Sequence, residues 1–181
     1  MRIAVIGTGG VGGYFGARLS EAGEDVTFIA RGAHLEAMKN KGLAIHSPLG
    51  NMHLDKIQCT DDPSTIAPVD IVMIAVKLWA TNEAIEAARP LLSEGTGIIS
   101  FQNGILAEEL LLKAFTKTHA MGGVANIAAL IEEPGVIRHN GTMASLFFGE
   151  LDNESSSRSK LLLEACEKAN ITASIPEDIN R

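Results

Sequence analysis

The chain opens on an uninterrupted apolar run, Ile3-Ala4-Val5-Ile6, and then alternates between short apolar runs and stretches of helical periodicity. A continuous apolar run with no polar face marks a parallel strand covered on both sides. Val11 to Ala22 contains no proline and sets Phe15, Leu19 and Ala22 at helical spacing, with Gly23 as a stop. Asp25-Val26-Thr27-Phe28-Ile29, rich in β-branched and aromatic residues, reads as a second strand. Ala33 to Lys41 predicts a short helix with Leu35 and Met38 on one side and Gly42 after it. Residues 43–47 and 51–54 flank Pro48-Leu49-Gly50, the pattern of a hairpin across which His46 and His53 could face each other. Two imidazoles without a third ligand make a poor metal site, so packing or surface roles are expected.

The alternation then repeats. Asp70 to Val76 reads as a strand, Ala80 to Ala88 as a helix, Gly97 to Phe101 as a strand and Ala107 to Phe115 as a helix. From there the pattern changes to consecutive strands: His119 to Ile131, Gly135 to His139 and Ser145 to Gly149, joined at Glu132-Glu133-Pro134 and at Asn140-Gly141. Lys160 to Asn170 is an amphipathic helix, Ile171 to Ile175 a last strand, and Pro176 to Arg181 has the character of a helix start. The expected fold is α/β: a Rossmann-type, mostly parallel sheet flanked by helices, with an antiparallel extension.

Composition narrows the function classes. A chain of 181 residues is long enough for one full domain and short for two. Its net charge of −7 leaves no basic stripe for a phosphate backbone, which argues against nucleic acid as partner. No apolar run approaches the length of a membrane span, and the N-terminus enters a strand directly, so a cytoplasmic protein is expected. Cys59 and Cys166 lie far apart with no CxxC or histidine-rich spacing, and two reduced thiols in or near the core are expected rather than a disulfide or a zinc site.

The candidate chemistry sits at the strand ends. Gly7-Thr8-Gly9-Gly10-Val11-Gly12 fits G-x-G-x-x-G in register with the end of the first strand. In such a loop the first glycine permits the tight turn, the second lets the backbone approach a pyrophosphate, and the third lets helix and strand pack closely. The helix that follows offers free N–H groups to phosphates. An acid usually follows the second strand where NAD is bound, to accept from the ribose 2′-hydroxyl; here the strand runs out into Ala30-Arg31-Gly32. A guanidinium suits the 2′-phosphate of NADP instead, the alternative being an ordinary surface cation. Lys77 and the turn Gln102-Asn103-Gly104 follow later strands, where open α/β sheets place their ligands. Trp79 is expected to pack beside that site. The antiparallel strands offer a surface for a homodimer, although nothing in the pattern assigns an oligomeric state.

With these loops in place the sequence resembles the ketopantoate reductases, or 2-dehydropantoate 2-reductases. The resemblance rests on the glycine run, on Arg31, on Val76-Lys77-Leu78-Trp79, on Phe101-Gln102-Asn103-Gly104-Ile105, and on Phe148-Gly149-Glu150 followed by the late helix. It implies reduction of 2-dehydropantoate to pantoate with NADPH, in pantothenate and coenzyme A synthesis. By the same resemblance Gly7 to Gly12 hold the pyrophosphate, Arg31 the 2′-phosphate, and Lys77 and Asn103 the nicotinamide side, with Gln102 and Gly104 also among the cofactor-binding residues and Asn103 also near the 2-keto acid substrate. The family's general acid is a lysine in a helix linking this domain to a helical second domain, and residues 176–181 resemble the approach to that helix. The chain is therefore expected to be the cofactor domain, residues 1–175, with a truncated start of the interdomain helix and no catalytic acid of its own. Two other readings stay open: an NADP-dependent reductase of another 2-keto or 3-hydroxy acid, and a non-catalytic NADP-sensing module if Arg181 is the natural terminus.

Overall fold

A computed structural model describes residues 1–102, 106–115 and 117–179. In chain order the elements are β1 (Arg2–Ile6), α1 (Gly10–Glu21), β2 (Asp25–Ile29), α2 (Gly32–Lys41), β3 (Leu43–His46), β4 (Met52–Leu54) and β5 (Gln58–Thr60). There follow β6 (Ile71–Ile74), α3 (Thr81–Ala88), β7 (Gly97–Ser100), α4 (Leu106–Ala114), β8 (Ala120–Glu133), β9 (Val136–Glu150), α5 (Ser157–Lys168) and β10 (Thr172–Ser174). The strands form one sheet in the order β4-β3-β9-β8-β7-β6-β1-β2-β5, with β10 added alongside β9. This is the α/β, Rossmann-type, mostly parallel sheet with an antiparallel extension that the hydrophobic pattern predicts.

β1 is central, paired in parallel with β2 on one side and β6 on the other. Its side chains alternate between two cores. Ile3 and Val5 join Tyr14, Phe15 and Leu19 of α1, with Leu162 and Cys166 of α5. Ala4 and Ile6 join Ala84 and Ile85 of α3 and Leu111 of α4 on the other face. The continuous apolar run in the sequence follows from this double coverage, and each fully buried side chain such as Ile3 or Phe15 stabilises the fold by about 1.5–3 kcal/mol.

The consecutive strands take a simpler form than the sequence predicts. Residues 136–150 are one long strand, not two joined at Asn140-Gly141. β8 and β9 run antiparallel from Met121↔Glu150 to Ile127↔Ala144, and pairing resumes at Ala129↔His139, so β9 carries extra residues as a bulge. Gly141 lies inside it with φ of +79°, so the Asn-Gly signal marks a bulge in place of a turn. His139 holds the bulge: its Nε2 donates to the Met143 carbonyl (3.0 Å), which leaves Nδ1 to accept from the Ser47 hydroxyl (2.9 Å). The bent hairpin packs over α1 closely enough that a Cβ at Gly10 would run into the Ala129 carbonyl.

Other details depart from expectation. β3 and β4 do form the predicted hairpin, but with Ala44 opposite His53. His46 and His53 are therefore offset, and they pair separately with Glu132 (2.8 Å) and Asp55 (3.3 Å). β5 has no clear hydrophobic pattern, and it is found as an edge strand on β2. Trp79 is 85% exposed, on a 3₁₀ turn (Leu78–Ala80), and does not pack beside the strand ends. Glu150 makes a two-pronged pair with Arg158 of α5 (2.8 and 2.6 Å), and the same guanidinium donates to the Thr96 and Thr118 carbonyls. Both cysteines are free, Cys166 in the core and Cys59 half-buried against it, and burial pushes the Cys166 thiol up to about 12. No described helix is long and apolar enough to cross a membrane.

Candidate nucleotide-binding site

The sheet order reverses direction at β1: the chain leaves it toward β2 on one side and returns to β6 on the other. Ligands of open α/β sheets bind in the crevice at such a point, beyond the carboxyl ends of the strands. A cavity of about 480 Å³ lies there, lined by Gly7, Thr8 and Gly9 after β1, by Ile29, Ala30 and Arg31 at the end of β2, and by Val76 after β6. Glu83 and Ala84 of α3, His34 of α2, Asp61 and Ile131 complete much of the wall.

Backbone bonds hold the glycine loop in place. Gly7 turns with φ of +93° and donates to the Ile29 carbonyl (3.1 Å), and the buried Thr8 hydroxyl donates to the same oxygen (3.3 Å). A Cβ at Gly12 would run into the Gly7 carbonyl and the Val5 side chain, so α1 approaches β1 as closely as a glycine allows. A Cβ at Gly9, by contrast, would meet nothing within 4 Å. Gly9 is the N-cap residue of α1 and, having no side chain, bonds none of the free N–H groups of that helix end. Open space above Gly9, with an uncapped helix N-terminus beside it, fits a bound pyrophosphate.

Arg31 is the extended N-cap residue of α2, and its side chain reaches Glu83, Nη1 to Oε1 2.6 Å. The position before it, Ala30, is a small apolar residue with no carboxylate for a ribose hydroxyl. One helical turn on, His34 Nδ1 accepts from the Gly135 N–H (3.0 Å), tying α2 to the β8–β9 turn. Its Nε2 is buried with no hydrogen-bond partner among the described residues. Burial holds the imidazole pKa below its ordinary value, partly offset by the Thr8 backbone.

The residues expected at the later strand ends are placed differently. Lys77 caps the 3₁₀ turn after β6, exposed, and does not line the cavity. Gln102 works as a clamp: its amide donates to the Val76 carbonyl (2.9 Å) and to the Thr81 hydroxyl (3.0 Å), while Ser100 donates to its Oε1 (3.1 Å). Gly10, Val11 and Gly12 belong to the first turn of α1 beneath the loop and are not in the cavity wall. Asn103 and Gly104 lie outside the described residues. Sequence reasoning missed His34, Asp61, Glu83 and Ile131. Of these, His34 had a legible signal, three residues after Arg31 on the same helical face.

The chain matches the family described as ketopantoate reductase PanE/ApbA over residues 3–153. The chain belongs to this family. Its members are NAD(P)-dependent oxidoreductases. An uncharacterized oxidoreductase of Bacillus subtilis is 37% identical over 165 residues, covering 91% of this chain and 54% of its own length. A 2-dehydropantoate 2-reductase of Pyrococcus abyssi is 37% identical over 142 residues, covering 78% of this chain and 45% of its own. The crystal structure of a 2-dehydropantoate 2-reductase from Geobacter metallireducens superposes with a TM-score of 0.91 at 33% identity, over 98% of this chain and 58% of that one. The chain thus spans about half the length of the curated relatives it matches.

Proposed function

We propose that this chain is the cofactor-binding portion, residues 1–175, of an NADPH-dependent reductase that converts 2-dehydropantoate to pantoate. The observation that carries the cofactor assignment is Arg31, placed at the end of β2 on the wall of the cavity that holds Gly7, Thr8 and Gly9, with Ala30 where an NAD site would put an acid. Gly7 to Gly12 seat the pyrophosphate on backbone and helix end, and Arg31 receives the 2′-phosphate. By the resemblance alone, Lys77 and Asn103 are assigned to the nicotinamide side, Asn103 also to the 2-keto acid, and Gln102 and Gly104 to the cofactor site.

When bound, NADPH supplies the hydride for the C2 ketone. The residues of this chain bind and orient, and the apolar part of the wall, Ile6, Ile29, Val76 and Ile131, offers the cofactor a nonpolar face. A protein acid protonates the alkoxide as it develops. The resemblance places that acid on a lysine in the interdomain helix, so Lys77 is assigned to cofactor binding and not to proton transfer.

The test is a fluorescence titration of the 181-residue chain with NADPH and NADH. NADPH is expected to bind more tightly, and Arg31→Ala to remove about 1.5–3 kcal/mol of NADPH binding while leaving NADH nearly unaffected. Equal affinities in the unmodified chain would overturn the role given to Arg31.

A further inference from the structure

Arg31, the guanidinium on the cavity wall, shares that wall with three carboxylates, Asp61, Glu83 and Glu86. Glu86 is occupied by Arg89, just past the end of α3, Nε to Oε2 2.8 Å. Glu83 is occupied by Arg31 itself at 2.6 Å. The cation assigned to a 2′-phosphate therefore already has an anion in the free chain. The two partners come from separate elements: Arg31 caps α2 after β2, and Glu83 stands in the first turn of α3 after β6. Their ion pair bridges two walls of the cavity.

We propose that Glu83 is a specificity-determining residue of this site. It competes internally for Arg31 and thereby limits the preference for a 2′-phosphorylated cofactor. This inference rests on the reading that Arg31 receives the phosphate. The side chains of the pair are 62% and 59% exposed, so the pair is weak enough to be displaced. Breaking an exposed pair of this sort shifts a binding equilibrium by about fivefold at most. A phosphate that carries nearly two charges and can bind a guanidinium through two oxygens outcompetes one carboxylate. Once displaced, Glu83 remains beside the phosphate, and like-charge repulsion adds to its penalty. A cofactor lacking the phosphate leaves the Arg31–Glu83 pair intact, so Glu83 weakens the binding of one cofactor and not of the other.

The experiment is a titration of the whole chain with NADPH and NADH, comparing the unmodified protein with Glu83→Gln, Glu83→Ala, Arg31→Ala and the double variant Arg31→Ala/Glu83→Gln. Both Glu83 variants are expected to bind NADPH about two- to tenfold more tightly and NADH within about twofold of the unmodified protein. The gain should vanish when Arg31 is absent and shrink in about 0.5 M salt. Unchanged or weakened NADPH binding in both Glu83 variants, with Arg31→Ala still harmful, would overturn this inference and leave the assignment of Arg31 standing. Equal tightening of NADPH and NADH would also overturn it, since that is a general charge effect without specificity. An unmodified chain that does not prefer NADPH would overturn both readings together.

Discussion

At the ends of β1 and β2 the site is built by leaving side chains out: Gly7 turns, Gly9 faces open space, and Gly12 lets α1 press on β1. At the ends of β6 and β7 the opposite method is used. There the Gln102 amide reaches the Val76 carbonyl and the Thr81 hydroxyl, Ser100 completes its bonding, and the start of α3 is stitched to the end of β7. The first wall depends on sterics at single positions, which residue identity alone encodes. The second depends on partners 21 to 26 residues apart, which meet when the sheet has formed.

The largest effect that separates the two walls is expected at Gly12. Gly12→Ala should destabilise the chain by about 3 kcal/mol in urea denaturation, because the new methyl has backbone on one side and Val5 on the other. Gly9→Ala should keep stability within about 0.5 kcal/mol, since its methyl meets open space, yet weaken NADPH binding at least about tenfold. A Gly9→Ala chain that binds as before would show that no phosphate approaches that backbone.

Gln102→Ala should cost about 1–2 kcal/mol by leaving the Val76 carbonyl and the Thr81 hydroxyl short of a partner. If stability were unchanged, the clamp would hold nothing in place and the contrast between the walls would fail.

The smallest effect concerns His34, which joins the glycine wall to the β8–β9 turn. Burial lowers its pKa below 6.5, and its Nδ1 accepts the Gly135 N–H as the neutral ring. The unfolded state therefore binds the proton more readily than the folded state. Stability from this residue is fully present above about pH 6.5 and is lost as pH falls through the lower folded value. Denaturation of the unmodified chain and of His34→Gln at about pH 7.5 and about pH 5 should show the larger acid loss in the unmodified chain. Parallel losses would remove His34 from the account.

Much of the fold was legible because most strands and helices carry one clear period. The continuous run of β1 was read correctly because burial on both faces leaves few alternatives, and the boundaries of β2 because its β-branched and aromatic residues mark a strand. β5 was missed because an edge strand of three half-exposed residues has no face to pattern. The Asn140-Gly141 turn was misread for a local reason: a positive-φ glycine serves a bulge as well as a hairpin, and the choice is made by His139, Ser47 and Met143 together. Trp79 was misplaced because the apolar character of a residue does not say whether its strand-end turn folds inward or out.

For the site, residue identities by themselves determined the glycine loop, the absence of an acid after β2 and the cation at Arg31. Those features depend on what one residue can or cannot do in its own few ångströms of backbone. The tertiary structure decided which charges share the cavity: Glu83 and Asp61 around Arg31, His34 against Gly135, and Ile131 brought over from the far hairpin. Such pairings depend on where the sheet order, the bulge and the helix ends bring distant segments together, which no local pattern specifies.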